Sequence, residues 1–294
     1  MSTILSEPFD SLLKSIRMTD QSNLREIRGK TAFWLRLRIL GGLTVAFFIL
    51  VVGSLIVFAL GCLTLFQARR FLTEVVVRTM SRAGLVCLGV RYSVRGELPR
   101  GEGQYVYISN HSSSLDMLVI TSLGLPRTRY FLSGFLQKIL PLGLIGHSIG
   151  VFWTMSQQFP ERRALLFQRA ERTLRRSGES VFLTPEGQKI GHFNKGAFHL
   201  ATSLGVPIQP IYIEIPTDVD PGPWSQNKDL DVRPGEIVVH IGPLIDTKTW
   251  TLENLETNRD AVRNHYAEWK NELQAAWSAQ AESMVCQSSL HAPA

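Results

Sequence analysis

The chain predicts an α/β fold, a mixed and largely buried sheet flanked by helices, with a membrane-embedded helical segment ahead of it. Three observations lead there. Ile39–Ala68 runs for 30 residues without a charge. From residue 90 onward, short β-rich apolar runs alternate with helix-patterned stretches, as in an α/β layer. Two polar, turn-forming clusters follow directly on two of those runs, where an open sheet presents its loops to a ligand.

Residues 1–38 read as a polar N-terminal segment carrying Lys14, Arg17, Arg25, Arg28, Lys30, Arg36 and Arg38, too long and mixed for a secretory leader. Residues 39–68 form the membrane-embedded segment: as one helix their 30 residues would reach roughly 45 Å, more than a hydrocarbon core of about 30 Å. The segment therefore spans with tilt, or bends near Gly53-Ser54 as a re-entrant anchor. Basic residues near its ends balance, Arg25, Arg28, Lys30, Arg36 and Arg38 against Arg69, Arg70, Arg78 and Arg82, so charge does not orient it. Residues 69–89 read as an amphipathic helix, with Leu72, Val76, Met80, Ala83 and Cys87 on one stripe and Arg70, Glu74, Arg78 and Arg82 on another. That helix either lies on lipid phosphates or packs on the following domain.

The globular domain is expected over residues 90–250. Its strands read as Val90–Val94, Gln104–Ser109, Arg129–Leu132, Ile149–Trp153, Ser180–Thr184, Val206–Ile213 and Ile237–Ile241. Helical stretches fall after Ser109 through Ser122 and around Ser133–Leu140, Arg162–Ser177 and Lys195–Leu204. A C-terminal helix over residues 251–281 and a disordered polar tail over 282–294 complete the chain.

The 31 basic residues exceed the 25 acidic ones by 6, which favours an anionic partner. No zinc-finger spacing, RNP-type aromatic motif or dense Lys/Arg run accompanies the charge, so the partner is read as a lipid bilayer and not nucleic acid. Cys62, Cys87 and Cys286 form no CxxC pair, and neither a disulfide framework nor a metal site is expected.

The sharpest local feature is Asn110-His111-Ser112-Ser113-Ser114-Leu115-Asp116, where a strand gives way to a helix. Five helical residues rotate about 500°, so His111 must sit in the loop for Asp116 to reach back to its ring. The carboxylate would then fix the imidazole tautomer and leave the other nitrogen to take a hydroxyl proton. The same stretch, through Ser113-x-x-Asp116, also satisfies a helix capping box, and from spacing alone both readings stand. A second cluster, Thr184-Pro185-Glu186-Gly187-Gln188-Lys189, also follows a strand, with Phe193-Asn194-Lys195-Gly196 soon after. Its Pro and Gly force a turn whose amides can face a ligand, Glu186 can bond acceptor hydroxyls, and Lys189 and Lys195 offer charge to a phosphate. An ordinary polar turn has the same composition. His147, His192, His199, His240 and His265 have no partner at motif spacing and read as structural or surface histidines.

Taken together, HSSSLD resembles the His-x4-Asp signature of the lysophospholipid acyltransferases, the group of the 1-acylglycerol-3-phosphate acyltransferases. TPEGQK resembles that family's FPEGTR, FNKG its FxKG, and Val206-Pro207-Ile208-Gln209-Pro210-Ile211 its VPIVPV block, in the family's order, over about residues 90–245. The resemblance implies a glycerolipid-acyltransferase sheet and His111 and Asp116 as the catalytic pair. For the acceptor it implies substrate contacts from the motif residues Asn110, Pro185, Glu186, Gly187, Lys189 and Lys195. It further implies an acyl-CoA or acyl carrier protein co-substrate, no other cofactor, a lysophospholipid acceptor, and placement at a membrane with the site facing the cytoplasm, at the inner membrane if the source is bacterial. Two departures weaken the phosphate clamp: no arginine ends Gly150-Val151-Phe152-Trp153-Thr154-Met155-Ser156, where the family has GxIFIxR, and Lys189 replaces the arginine of FPEGTR. Arg162 and Arg163, at a helix start, read as solvated charge before they read as a replacement. A different lyso-lipid such as a lyso-aminolipid therefore stands beside the 1-acylglycerol-3-phosphate acceptor. A CoA-independent transacylase or lipase, and a non-catalytic lipid-binding membrane protein, are the readings from other classes.

Overall fold

A computed structural model describes residues 37–290 except 100–102, 114, 156–157, 187–190, 218 and 221–231. The N-terminal segment expected over 1–38 lies outside them but for its last two residues. The domain is a sheet of seven strands, β1 (Val90–Arg95), β2 (Val106–Ser109), β3 (Thr128–Ser133), β4 (Phe152–Thr154), β5 (Ser180–Leu183), β6 (Ile208–Glu214) and β7 (Gly235–Ile241), ordered β1-β7-β6-β2-β5-β3-β4. Only β6 and β7 pair antiparallel. The five strands from β6 to β4 therefore run one way and send their carboxyl ends to one edge. The mixed sheet flanked by helices is thus as expected.

Period-2 alternation sorts side chains to two faces. Tyr107, Phe182 and Tyr130 stand in register across β2, β5 and β3 on the first face, while Val106, Ile108, Val181 and Leu183 point to the second. Over the first face lie α3 (Arg78–Cys87), α4 (Asp116–Leu123) and α6 (Leu140–Ile149), which contribute Leu85, Val119, Ile120 and Ile145 to its core. Over the second lie α7 (Pro160–Ser177), α8 (Gly196–Leu204) and α9 (Leu255–Leu290), through Leu174, Phe198, Leu200 and Tyr266. Burying side chains of this size contributes on the order of 1.5–3 kcal/mol each.

The apolar segment is one unbroken helix, α1 (Leu37–Leu63), roughly 40 Å long. It passes straight through Gly53-Ser54, so of the two arrangements expected the bend at that point is not formed; the chain turns instead over 64–68, with Leu65 and Phe66 at positive φ of 48° and 57°. After the turn come α2 (Arg69–Phe71), a π-helical stretch (Leu72–Val77) and α3. Together they fold back along α1. A β-carbon on Gly42 would lie 2.3 Å from the Cys87 carbonyl oxygen, and one on Gly53 2.2 Å from the Met80 methyl carbon. Small residues at these points let the two helices approach closely.

The π-helical turn shifts the expected apolar stripe. Leu72, Val77 and Leu85 are buried with Thr73, Ser81 and Gly84, while Val76, Ala83 and Cys87 are only partly covered. The helix packs on the domain: Arg78 Nε and Arg82 Nε donate to the Ser122 carbonyl at 3.4 and 3.1 Å, and Ser81 Oγ lies 2.7 Å from Thr121 Oγ1. Cations at the last turn of α4 complement its negative end.

Three other expectations need correction. The helix expected at Ser133–Leu140 is a single turn, α5 (Gly134–Gln137), and a further helix, α6, occupies residues that had been read partly as strand. Ile149 closes α6, and β4 starts at Phe152. The C-terminal helix continues to Leu290, through most of the tail expected to be disordered.

Candidate functional site

The motif segments meet at the carboxyl edge of the sheet. His111, Ser112 and Ser113 leave β2 as loop, and α4 begins at Asp116, so the aspartate side chain turns back over the loop that precedes it. Asp116 Oδ2 receives three groups: His111 Nδ1 at 2.9 Å, the Ser112 N–H at 2.8 Å and the Ser113 N–H at 3.0 Å. One oxygen thus orients the imidazole and holds one half of the expected capping box, the Ser113 N–H; the other half is not formed, since α4 is capped at Leu115 and Ser113 Oγ turns to the Leu115 N–H. Asp116 Oδ1 is buried without a hydrogen-bond partner among the described residues.

The carboxylate is 4% exposed and the imidazole 47%, so a fixed, dry anion holds a ring that still faces outward. The bond to Asp116 raises the His111 pKa above its ordinary value; desolvation opposes this, and the charges of Asp116 and Glu186 add to it. With Nδ1 engaged, Nε2 is the nitrogen left to meet a substrate, and no described residue bonds to it.

A second layer supports the loop. Glu186 Oε2 accepts from the His111 N–H at 2.8 Å and Oε1 from the Gly191 N–H at 3.0 Å. The carboxylate expected to hold acceptor hydroxyls thus ties the two motif loops together. Pro185 offers its carbonyl to the Asn194 backbone N–H at 2.8 Å and Asn194 Nδ2 at 2.9 Å, so the FNKG asparagine staples the TPEG turn. Ser113 Oγ accepts from the Leu115 N–H at 2.9 Å and bonds Asp220 Oδ2.

Asn110 does not face a substrate, contrary to expectation. Its Nδ2 donates to the Ile213 carbonyl at 2.9 Å and its Oδ1 accepts from the Ile213 N–H at 2.8 Å. The side chain imitates a strand partner and closes the widening gap between β2 and β6. Lys195 is half exposed and paired with Glu256 of α9, which lowers the Glu256 pKa, so its ammonium is shared with a protein carboxylate. Gly187 and Lys189 lie outside the described residues.

Sequence reasoning missed Asp220 and Tyr266. The Tyr266 hydroxyl, buried on α9, accepts from the Ile211 N–H at 3.1 Å and lies 3.0 Å from the Ile108 carbonyl, locking β2 to β6 just behind the site. Burial raises its pKa well above the ordinary phenol value, and Glu186 adds to the rise. Burial likewise pushes Tyr212 up to about 12. Both phenols remain protonated donors at physiological pH. No local pattern marks these partners, which lie 55 to 158 positions from the residues they serve.

The backbone amides of His111, Ser112 and Ser113 are all spent on Glu186 and Asp116. They are consequently not available to an oxyanion.

Comparison with known proteins is consistent in one direction. Residues 90–214 match the family model described as Acyltransferase. A mouse 1-acyl-sn-glycerol-3-phosphate acyltransferase alpha is 28% identical over 182 residues, 60% of this chain and 62% of that protein. A chloroplastic 1-acyl-sn-glycerol-3-phosphate acyltransferase of Brassica napus is 33% identical over 120 residues, 39% of this chain and 34% of that one. The chain thus spans between about a third and three fifths of these relatives' length. The crystal structure of the 1-acyl-sn-glycerophosphate acyltransferase from Thermotoga maritima superposes with a TM-score of 0.64 at 20% identity, covering 83% of this chain and 98% of that one. At that identity the likeness establishes the fold.

Proposed function

We propose that this protein esterifies the free hydroxyl of a lysophospholipid of the 1-acylglycerol-3-phosphate type with a fatty acyl group taken from a thioester; the match of residues 90–214 to the Acyltransferase family model and the likeness to proteins named 1-acyl-sn-glycerol-3-phosphate acyltransferases support the reading. The observation that carries the reading is the 2.9 Å contact of His111 Nδ1 with buried Asp116 in a loop at the carboxyl edge of the sheet.

In this reading Nε2 of His111 removes the hydroxyl proton as the acceptor oxygen attacks the thioester carbonyl carbon. The tetrahedral adduct collapses, the carbon–sulfur bond breaks, and the imidazolium returns its proton to the leaving thiolate. Asp116 stabilises the imidazolium between those steps. The chain needs no acyl-enzyme: Gly146-His147-Ser148-Ile149-Gly150 has the GxSxG pattern, but Ser148 is buried inside α6 with its hydroxyl donating to the Leu144 carbonyl at 2.8 Å, not exposed at a strand-to-helix elbow. Stabilisation of the oxyanion falls to backbone amides at the first turn of α4.

The protein works at a membrane. Leu40, Phe47, Phe48, Leu55 and Ile56 are exposed along α1, an apolar surface that water does not favour. Because α1 lies back along α3 for most of its length, a hairpin set into one leaflet fits better than a helix crossing the bilayer away from the domain. In a bacterium that would be the cytoplasmic leaflet of the inner membrane.

One observation favours a second reading of the acceptor. Lys195 is already paired with Glu256, and Ser156 stands where the family motif has arginine, so fewer free cations than usual await a phosphate. A lyso-lipid with a less anionic head group fits that arrangement. Mass spectrometry of lipids from a host expressing the native protein or His111→Ala tests both. Native protein should enrich one diacyl product class and His111→Ala should not, and the enriched class names the acceptor; equal profiles would refute the assignment.

A further inference from the structure

The helix α7 carries a feature that the site does not use. Arg162, Leu165, Arg169, Arg172 and Arg176 recur at three-, four-, three- and four-residue steps along it and are all exposed, while Ala170 and Leu174 bury the opposite side. The stripe from Arg162 to Arg176 is roughly 21 Å long. Glu171 is engaged with Arg175 at 3.0 Å, and among the described residues no carboxylate lies within ion-pair distance of Arg169, Arg172 or Arg176. Like charges three and four positions apart on a helix repel one another and destabilise it. An external polyanion would relieve that repulsion. A shallow groove of about 440 Å³ beside Leu165, Arg169, Arg172, Thr173 and Arg176 gives such a partner relief to grip.

The position of α7 narrows the partner's class. Its buried residues pack on the second face of the sheet, whereas the apolar hairpin covers the first. With the hairpin in a bilayer, the arginine stripe faces away from lipid and into water. The amino end of α7 follows β4, whose carboxyl end lies at the same sheet edge as His111. A soluble anionic macromolecule seated on the stripe therefore has a short route to the site. Guanidiniums strung along 14 positions match a line of carboxylates better than the compact phosphates of one coenzyme A.

We propose that the arginine stripe of α7 docks an acidic carrier protein that brings the acyl thioester to the site on a flexible arm. The inference rests on the acyl-transfer reading above and names its donor.

The test compares two donors and one binding equilibrium, with the full chain in lipid nanodiscs. R169E/R172E/R176E, and the milder R169Q/R172Q/R176Q, are assayed with palmitoyl acyl carrier protein and with palmitoyl-CoA. The charge reversal should raise KM for the carrier-borne donor by about tenfold or more and leave KM for palmitoyl-CoA within about twofold, the neutral variant falling between. Salt should raise the native KM for the carrier-borne donor and scarcely affect the reversed variant. Binding of the holo carrier without an acyl group, which needs no turnover, should weaken in parallel. Unchanged carrier KM and binding, or an equal loss with both donors, would overturn the docking surface. Native protein that transfers from neither donor would instead refute the acyl-transfer reading, and the binding measurement would still decide the docking question.

Discussion

At the scale of single residues the account turns on what Asp116 does to His111. A general base works in its neutral form, and the raised pKa of His111 means that this form predominates only above the ordinary imidazole value. The rate constant kcat/KM for the acceptor should therefore climb with pH through a value above 6.5 and then level off. Asp116→Asn removes the hydrogen bond and the charge that raise the pKa. Its acid limb should move to lower pH while the plateau drops by about 10²- to 10⁴-fold. A limb that stays in place or moves upward in a pH–rate profile would show that Asp116 does not govern the imidazole. The pair was legible in the sequence because its logic is local: five positions, a strand end and a helix start. Asn110 was misread for the converse reason. Its partner, Ile213, is 103 positions away, and nothing near an asparagine tells whether its amide will face a ligand or complete a sheet. Long separations likewise hid Asp220, 107 positions from Ser113, and Tyr266, 55 and 158 positions from Ile211 and Ile108.

At the scale of elements, strands were legible because β-branched and aromatic residues alternate or cluster between turn formers, as in Val90–Arg95 and Ser180–Leu183. Helix α6 was not. Its ten residues carry no one-sided apolar stripe and contain Pro141, Gly143 and Gly146, which look like breakers. Pro141 sits in the first turn, where its missing N–H costs nothing. Gly146 lies so close to the Trp153 ring that a β-carbon would stand 2.3 Å from it. The turn over 64–68 was hidden in the other direction, since it contains neither Gly nor Pro. Gly53, the residue that suggested a bend, serves instead as a contact point with Met80.

The hairpin makes a paired prediction. Gly41 has nothing within 4 Å of its added β-carbon, whereas that of Gly42 would meet the Cys87 carbonyl. Gly42→Val should separate the helices and lower the thermal midpoint of the solubilised protein by several degrees, consistent with a loss of about 1–3 kcal/mol, while Gly41→Val should leave it nearly unchanged. Equal midpoints for the two variants would mean that α1 is not packed on α3.

At the scale of the whole molecule, the sheet separates two environments. Exposed apolar residues of α1 lie over one face and the exposed arginines of α7 over the other, with His111 at the edge between them. An in-plane hairpin keeps its turn on the same side of the membrane as the domain. A cysteine placed at Gln67, with the native cysteines replaced, should react with an impermeant thiol reagent only from the side that also labels a cysteine at Arg176. Labelling from opposite sides would establish a crossing helix. This arrangement was only partly readable beforehand, because 30 uncharged residues specify affinity for lipid but not the surface against which they fold.

The acyl-transfer chemistry is tested most directly with purified protein in nanodiscs, a radiolabelled acyl thioester and 1-acylglycerol-3-phosphate. Native protein should form labelled diacyl product and free thiol in equal amounts, and His111→Ala, matched for folding and membrane insertion, should form neither above background. Undiminished ester formation by His111→Ala would contradict the account.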